Sequence, residues 1–359
     1  MYLPFNFIII NGGFFVKINN SIDIFKFIAA CLVMSIHICP LASGNMMLNS
    51  MFNDTVARIA VPFFFTIAGY FLYSKMENSR GIKSYIIKLI KLYIIWSLIY
   101  FPIIFYTWIG NGTHILLDVI FYIRNVILIG AYIQLWYLPA LIFSVAILFL
   151  LLKKFSLRIC LLISSCLYLI GLLGDGYYGI SVTLGFSKYI DKFTSFFGST
   201  RNGLFFGMFF VCLGMYIKAH PPKNHLKTYK YLGILASLLL MIIEVYILKK
   251  SKFAHDYNMY ISLIPAIYFL VLILVNANLK FKLKICLRSL SLTMYLTHMW
   301  IFLIYKKIID IIELDVLKNS FIRYIIVLAL SIVIHCLIVQ FKNIYQLKNA
   351  KVTSLKLNS

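Results

Sequence analysis

Residues 20–40 read NSIDIFKFIAACLVMSIHICP, an apolar stretch that carries three ionisable side chains. The stretch is long enough to cross the roughly 30 Å hydrocarbon core of a bilayer as a helix. Ionisable groups inside such a segment are costly, which indicates a function for them. Lys26 and His37 are eleven residues apart, so on a helix they lie about 20° apart around the axis and about 16 Å apart along it. We therefore predict a membrane helix with Lys26 and His37 on one stripe.

The rest of the chain has the composition of a polytopic membrane protein. Of its 359 residues 62% are apolar and 13% charged, against about 45–50% apolar and about 25% charged in soluble domains. A soluble enzyme is excluded, and the partner of the apolar surface is the lipid bilayer. Apolar runs bounded by charge, Gly or Pro predict an all-α bundle of about ten transmembrane helices, at 22–41, 57–74, 89–109, 134–152, 157–174, 201–218, 229–247, 259–277, 288–305 and 321–341.

The distribution of basic residues predicts the orientation of this bundle. The net charge of +23 would suggest nucleic acid in a soluble protein, but here 22 of the 34 Lys and Arg residues fall on one side of the ten spans. By the positive-inside rule we expect that side to be cytoplasmic, with both termini there. Because orientation in the membrane explains the positive charge, we expect no nucleic-acid partner. We expect an N-terminal cytoplasmic or interfacial segment at 1–20, a transmembrane domain at 21–342 and a cytoplasmic tail at 343–359. Segment 111–133 is expected outside, as an amphipathic surface helix.

The lysine and histidine stripe suits a long thioester donor with an anionic end. The lysine would hold phosphate near the cytoplasm, and His37 would act deeper in the membrane as a general base on an acceptor hydroxyl. Structural roles stay open for all three groups. Lys26 could extend to the inner interface, Asp23 could cap the helix in an Asn20-x-x-Asp23 box, and His37 could hydrogen-bond a neighbouring helix.

These residues carry a resemblance to a known family. The lysine, ten intervening residues and histidine resemble the Arg/Lys-x10-His motif of the membrane-bound acyltransferase 3 family. Further strings follow in the order of that family: VPFFFTIAGYFLY at 61–73, Lys88-Leu-Ile-Lys91, QLWYLPALI at 134–142, RNGLFFGMFFVCLGM at 201–215 and SLSLTMYLTHMW at 289–300. The resemblance covers nearly the whole chain.

The resemblance implies a function in the bacterial cytoplasmic membrane. Members of this family transfer an acyl group, commonly acetyl from acetyl-CoA, to a hydroxyl of a cell-surface or exported saccharide. The strings are most similar to a branch that includes the membrane domains of vancomycin-resistance serine racemases, for which serine uptake has been proposed, so a transporter for serine or another small solute is the alternative. The sequence shows no racemase-like or esterase-like soluble domain. We therefore expect the bundle, or a polysaccharide-assembly partner, to handle the acceptor.

The resemblance also implies roles for individual residues. His37 is the catalytic candidate, and Lys26 is a candidate for the phosphates of acyl-CoA. Lys88 and Lys91 stand where the family often has an Arg-x-x-Arg pair, and they are further candidates for the phosphates; the alternative is an ordinary positive-inside signal.

Other candidates come from position along the spans. Arg58 and Arg201 begin spans on the outer side, against the charge bias, and could hold an anionic acceptor or intermediate, or anchor the interface. Tyr70, Tyr295 and His298 are supporting candidates together with Asp23, although helix packing or an interhelical hydrogen bond would explain each of the three. The histidines and cysteines show no metal-ligand spacing, so no metal site is expected.

Overall fold

The fold is a bundle of helices, seen in a computed structural model that describes residues 19–111, 115–221, 229–277, 279 and 286–357. No strand occurs within these ranges. The helices are α1 (Asn20–Ile38), α2 (Met46–Asp54), α3 (Ala60–Leu72), α4 (Ser79–Asn111), α5 (Ile115–Leu128), α6 (Tyr137–Leu152), α7 (Leu157–Leu172), α8 (Tyr178–Thr183), α9 (Ser187–Phe197), α10 (Met208–Ala219), α11 (Tyr229–Ser251), α12 (Leu263–Asn276), α13 (Leu287–Ile312), α14 (Asp315–Lys318) and α15 (Ser320–Leu357).

Ten apolar helical segments correspond to the ten predicted spans. Six are long and apolar enough to cross a membrane: Asn20–Ile38, Met46–Lys75, Ser79–Ile109, Tyr229–Ser251, Leu287–Ile312 and Ser320–Gln346. Four shorter apolar helices fall at the other predicted positions: Tyr137–Leu152, Leu157–Leu172, Gly203–Ala219 and Leu263–Asn276. The predicted fold class, an all-α membrane bundle, is confirmed. Residues 1–18, the bulk of the expected N-terminal segment, lie outside the described residues.

The start of α1 differs from the box considered for it. Asn19 is the N-cap, and its side chain accepts a hydrogen bond from the Ile22 amide at 3.2 Å. The alternative of a box that begins at Asn20 is not seen, since Asn20 is already helical and its side chain donates to the Leu279 carbonyl at 2.9 Å. Asp23 is thereby free of a capping role, and its carboxylate lies beside cations on α1 and α13.

Helices α3 and α10 form the tightest contact of the bundle. A Cβ atom at Gly69 would collide with the backbone carbonyl of Val211, and one at Gly214 would collide with the carbonyl of Thr66. Only glycine permits this backbone-to-backbone approach, which small residues commonly provide between membrane helices. Gly69 and Gly214 therefore serve helix packing.

Within the segment expected outside, residues 115–128 form helix α5, which packs against α4. Helix α5 runs back along α4: the Trp108 and Tyr122 rings are 5.8 Å apart, and the Tyr93 hydroxyl donates to the Val126 carbonyl at 2.6 Å. The charge that interrupts the segment, Arg124, is accommodated by Asn125 and by the Ser195 carbonyl. Six apolar side chains of α5 are left exposed, which suits contact with lipid (Leu116, Leu117, Ile120, Phe121, Ile123, Ile127).

Helix α15 closes the other side of α1. The Tyr324 hydroxyl donates to the Cys31 carbonyl at 3.0 Å, and Arg323 donates to the Ile38 carbonyl at 2.8 Å. The helix continues without a break through the expected boundary at residue 342 and ends at Leu357. Its last turns therefore extend past the end of α1 that carries Lys26.

Candidate active site

A cavity of about 900 Å³ runs beside α1 and takes wall residues from α3, α4, α6, α13 and α15. Lys26 and His37 both line it, so the stripe predicted from the sequence faces one continuous space. Arg58, Arg201 and Tyr295 line the same cavity. Of the residues singled out from the sequence, these five are brought together.

One end of the cavity, here called the basic mouth, is formed by Lys26, Arg288 and Lys342. The Asp23 carboxylate bridges two of these cations: it lies 3.1 Å from the Lys26 ammonium, and Arg288 donates to both of its oxygens at 3.1 and 3.2 Å. Lys26 and Arg288 thus share one carboxylate at this end, where Lys342 adds a third cation to the wall. Such a cluster is suited to phosphate groups.

Two histidine rings meet at the cavity wall, which His37 lines. The rings of His37 and His298 have centroids 5.5 Å apart, and His298 is completely buried behind His37. The Nδ1 atom of His298 lies 2.9 Å from the Met294 carbonyl. If Nδ1 carries the proton, Nε2 is an unprotonated acceptor, and this atom has no hydrogen-bond partner among the described residues.

A buried amide also faces the cavity. Gln134 is 2% exposed and lines the wall, and neither its Oε1 nor its Nε2 has a partner within the described part of the chain. Its backbone carbonyl accepts a hydrogen bond from the Tyr295 hydroxyl at 3.0 Å, which fixes the segment. Buried polar groups are nearly always satisfied, so an orphaned amide in a cavity wall indicates a ligand contact.

The opposite end of the cavity, here called the arginine end, is formed by Arg58 and Arg201. Each guanidinium donates to the same atom, Asn258 Oδ1, at 2.6 Å. Arg58 also donates to Asp54 at 3.1 Å, and Arg201 stacks on the Trp136 ring with 4.6 Å from Cζ to the centroid. The Nε atoms of both arginines are buried without a partner in the described ranges.

Asp175 lies behind Asn258 and is fully buried. One of its oxygens accepts hydrogen bonds from the backbone amides of Asn258 and Met259 at 2.8 and 2.9 Å, and the other accepts from Asn258 Nδ2 at 3.0 Å. Burial raises the pKa of the Asp175 carboxyl and the charge of Asp256 adds to the rise, whereas the hydrogen bonds from Asn258 and the charge of Arg201 lower it.

The local fold after Arg201 explains the string RNGLFFG. Asn202 caps a short π-helical turn, Gly203–Gly207, by accepting from the amides of Leu204 and Phe205. A Cβ atom at Gly203 would meet the Ala140 carbonyl at 2.6 Å, so the turn presses directly on α6. Single π turns are frequent at functional sites, and this one places Arg201 at the cavity wall.

Five predicted site residues do not line the cavity: Lys88, Lys91, Tyr70, Asp23 and His298, of which His298 lies behind His37. Lys88 and Lys91 lie off it, whereas their neighbours Leu89 and Leu92 line it, because one residue on a helix is a rotation of about 100°. Tyr70 also lies outside the wall, and its ring is 5.0 Å from the Lys218 ammonium. Asp23 does not line the cavity but contacts two residues that do.

Sequence reasoning missed five residues of this site: Gln134, Asp175, Asn258, Arg288 and Lys342. The two amides carry no charge, and charge was the signal that identified the others. Asp175 and Arg288 were visible as charges at the ends of apolar runs, but nothing in the linear sequence pairs position 175 with 258 or position 288 with 23.

Comparison with known proteins shows which family the chain matches. Residues 19–340 match the acyltransferase 3 family, whose conserved unit is described as an acyltransferase domain. Two amino-acid racemases of Enterococcus faecalis are 31% and 33% identical, each over 93% of this chain and over 48% and 47% of their own length. A serine/alanine racemase of Enterococcus gallinarum is 30% identical over 90% of this chain and 46% of its own. The chain thus spans about half the length of these relatives, and no solved structure matches it.

Proposed function

This chain belongs to the acyltransferase 3 family, and we propose that it is an O-acyltransferase that moves an acyl group from acyl-CoA in the cytoplasm to a hydroxyl of a cell-surface or exported saccharide. Acetyl-CoA is the donor that we expect. The observation that carries the proposal is the single cavity lined by Lys26 and His37, with a cation cluster at each end. We place the basic mouth at the cytoplasmic face, with both termini on that side, because most basic residues fall there.

The proposed reaction uses His37 as general base. Its unprotonated ring nitrogen takes the proton from the acceptor hydroxyl while the hydroxyl oxygen attacks the thioester carbonyl. The carbon–sulfur bond then breaks, and the CoA thiolate leaves with the proton that His37 returns. His298 is a positioning residue in this scheme: its ring, held by the Met294 carbonyl, lies next to the His37 ring.

The two cation clusters have different substrates in this proposal. The phosphates of the donor are held by Lys26, Arg288 and Lys342. These three residues take the role that the resemblance implied for Lys88 and Lys91, because Lys88 and Lys91 do not line the cavity. Arg58 and Arg201 hold an anionic group of the acceptor. Gln134 offers its free amide hydrogens to the carbonyl oxygen of the acyl group, where negative charge develops during attack.

The test is acyl transfer by membranes that contain the wild type or His37→Ala. Acetyl-CoA labelled in the acetyl group is supplied, and CoA release and label in the surface-glycan fraction are both measured. We expect both signals to vanish in the variant. His220→Ala is the matched control, because His220 stacks on Tyr216 outside the cavity and its loss should leave transfer intact. Transfer by a folded His37→Ala protein at the wild-type rate contradicts the proposal.

A native cysteine reports donor binding separately from transfer. Cys286 lines the basic mouth and is exposed, whereas Cys166 is exposed outside the cavity. Acyl-CoA should slow the reaction of Cys286 with a thiol reagent and leave that of Cys166 unchanged. If Cys286 reacts with the thiol reagent at the same rate with and without acyl-CoA, the donor does not bind at the basic mouth.

A second candidate function is transport of a small zwitterionic solute such as serine. The observations that favour it are the racemase relatives and the acid Asp256, which lines the cavity together with Arg58 and Arg201. Two guanidinium groups and a carboxylate suit the carboxylate and ammonium of an amino acid. Uptake of labelled serine by proteoliposomes without any acyl donor distinguishes this function from acyl transfer.

A further inference from the structure

The bridge between Arg58 and Arg201 is chemically unusual. Two guanidinium groups that converge on one point are ordinarily joined by a carboxylate, which neutralises them and forms strong charge-assisted bonds. Here the shared acceptor is the neutral amide oxygen Asn258 Oδ1, at 2.6 Å from each arginine. Arg201 has no carboxylate within ion-pair distance among the described residues.

The nearest acids are shared with other groups or do not contact Arg201. Asp54, the ion-pair partner of Arg58, is shared with Lys249 at 2.6 Å. Asp175 is separated from both arginines by the Asn258 side chain, whose amide it binds. Asp256 lines the cavity nearby but bonds the Tyr257 backbone amide. Within the described residues, Arg201 therefore faces the cavity with no carboxylate in contact, and Arg58 faces it with one that it shares with Lys249.

The orientation of the Asn258 amide maintains the contact of Arg58 and Arg201 with one oxygen atom. An asparagine amide can present either its oxygen or its NH₂ group in a given direction. An ionised carboxylate accepts hydrogen bonds only, so Asp175 forces Asn258 Nδ2 toward itself and Oδ1 toward the arginines. With the amide reversed, its NH₂ group would face two guanidinium groups, which are also donors, and the pair would separate.

We propose that Asn258 and Asp175 are positioning residues that hold Arg58 and Arg201 together as an oxyanion site, selective for a ligand with a phosphate or carboxylate group. The ligand oxygens bind the guanidinium hydrogens that Asn258 leaves free, including those on the buried Nε atoms. This inference rests on the proposed role of the arginine end in holding the acceptor, and it narrows the acceptor to an anionic one.

The test measures binding directly and needs no acyl transfer. The full-length protein in nanodiscs is titrated with inorganic phosphate or acetate, and tryptophan fluorescence is recorded. Trp136 stacks on Arg201, so occupation of the site should change its emission, and Trp136→Phe should lose the response. Absence of a saturable response to both anions in the wild type overturns the oxyanion site, while the transfer assay remains an independent test of the proposed function.

Asp175→Asn is the decisive variant, because two explanations predict opposite signs. Removing a negative charge near an anion site tightens anion binding by simple electrostatics. Loss of the acceptor-only partner instead lets the Asn258 amide reverse, and we expect the Kd for phosphate to rise about tenfold. The control is Asp191→Asn, which removes the same charge from an exposed residue bound to Tyr178 and should leave the Kd unchanged. An unchanged or lower Kd in Asp175→Asn overturns the proposal.

A double variant separates positioning from folding. In Asp175→Asn with Asn258→Asp, the new amide at 175 can accept from the two backbone amides and donate to the new carboxylate at 258, so every hydrogen bond is retained. The carboxylate now neutralises the arginine pair. We expect this protein to fold as the wild type does and to lose phosphate binding, whereas recovery of the wild-type Kd would show that the pair serves only to maintain structure.

Discussion

The two ends of the cavity hold their cations in opposite ways. At the basic mouth a carboxylate, Asp23, bridges Lys26 and Arg288, and much of their charge is neutralised within the protein. At the arginine end a neutral amide bridges Arg58 and Arg201. A ligand at the basic mouth must compete with an internal anion. At the arginine end, Arg201 has no carboxylate in contact among the described residues, and the Asp54 carboxylate beside Arg58 is shared with Lys249. The difference suits a donor that is exchanged in every cycle and an acceptor that must be recognised.

The largest expected effect comes from removing a cation of the arginine end. We expect Arg201→Gln to lower kcat/KM for the acceptor about 100-fold, because a charge-assisted hydrogen bond in a buried site is lost together with half of the pair. The KM for acyl-CoA should stay near the wild-type value. Initial-rate kinetics with each substrate varied in turn would measure both. Lys192→Gln, which changes a cation outside the cavity wall, is the control, and an equal loss in it would show a general charge effect.

A smaller effect is expected at the basic mouth, where charge is already shared. Arg288→Gln should raise the KM for acyl-CoA about tenfold and leave the acceptor kinetics unchanged. Lys91→Gln sharpens the comparison: the family resemblance predicts a similar rise, but the cavity wall excludes Lys91 and predicts a KM close to the wild-type value. A larger rise for Lys91→Gln than for Arg288→Gln would contradict the assignment of the mouth.

The smallest effect tests the competing carboxylate itself. Asp23→Asn leaves an uncharged side chain of the same shape beside Lys26 and Arg288, so the donor phosphates no longer compete with an anion. We expect the KM for acyl-CoA to fall about threefold, in line with the modest strength of partly exposed ion pairs. A rise in KM would mean that Asp23 positions the two cations rather than competing for them.

The hydrophobic pattern predicts much of the fold, because a membrane helix needs a long apolar run whatever its neighbours are. The ten spans and the Lys26 and His37 stripe follow from the length and the period of single segments. The packing of α5 on α4 does not, since the charge of Arg124 interrupts the apolar run and its contact with the distant Ser195 carbonyl appears only in three dimensions.

The candidate site was predictable where one helix sets the geometry and not where several segments meet. The stripe on α1 depends on one helical period. The arginine end joins positions 58, 175, 201 and 258, whose spatial order depends on interhelical packing. A rotation of one residue decides that Leu89 lines the cavity and Lys88 does not, and such a shift is smaller than the error in a predicted helix boundary.

The glycine contact between α3 and α10 has a mechanical consequence. Where Gly69 and Gly214 bring two backbones together, no flexible side chain lies between them that could change rotamer and let the helices slide. We therefore expect α3 and α10 to move as one rigid unit. Helices α13 and α15 meet α1 through side chains such as Tyr324 and Arg323. If the cavity widens at one end to admit a substrate, we expect α13 and α15 to move and the α3–α10 pair to stay fixed.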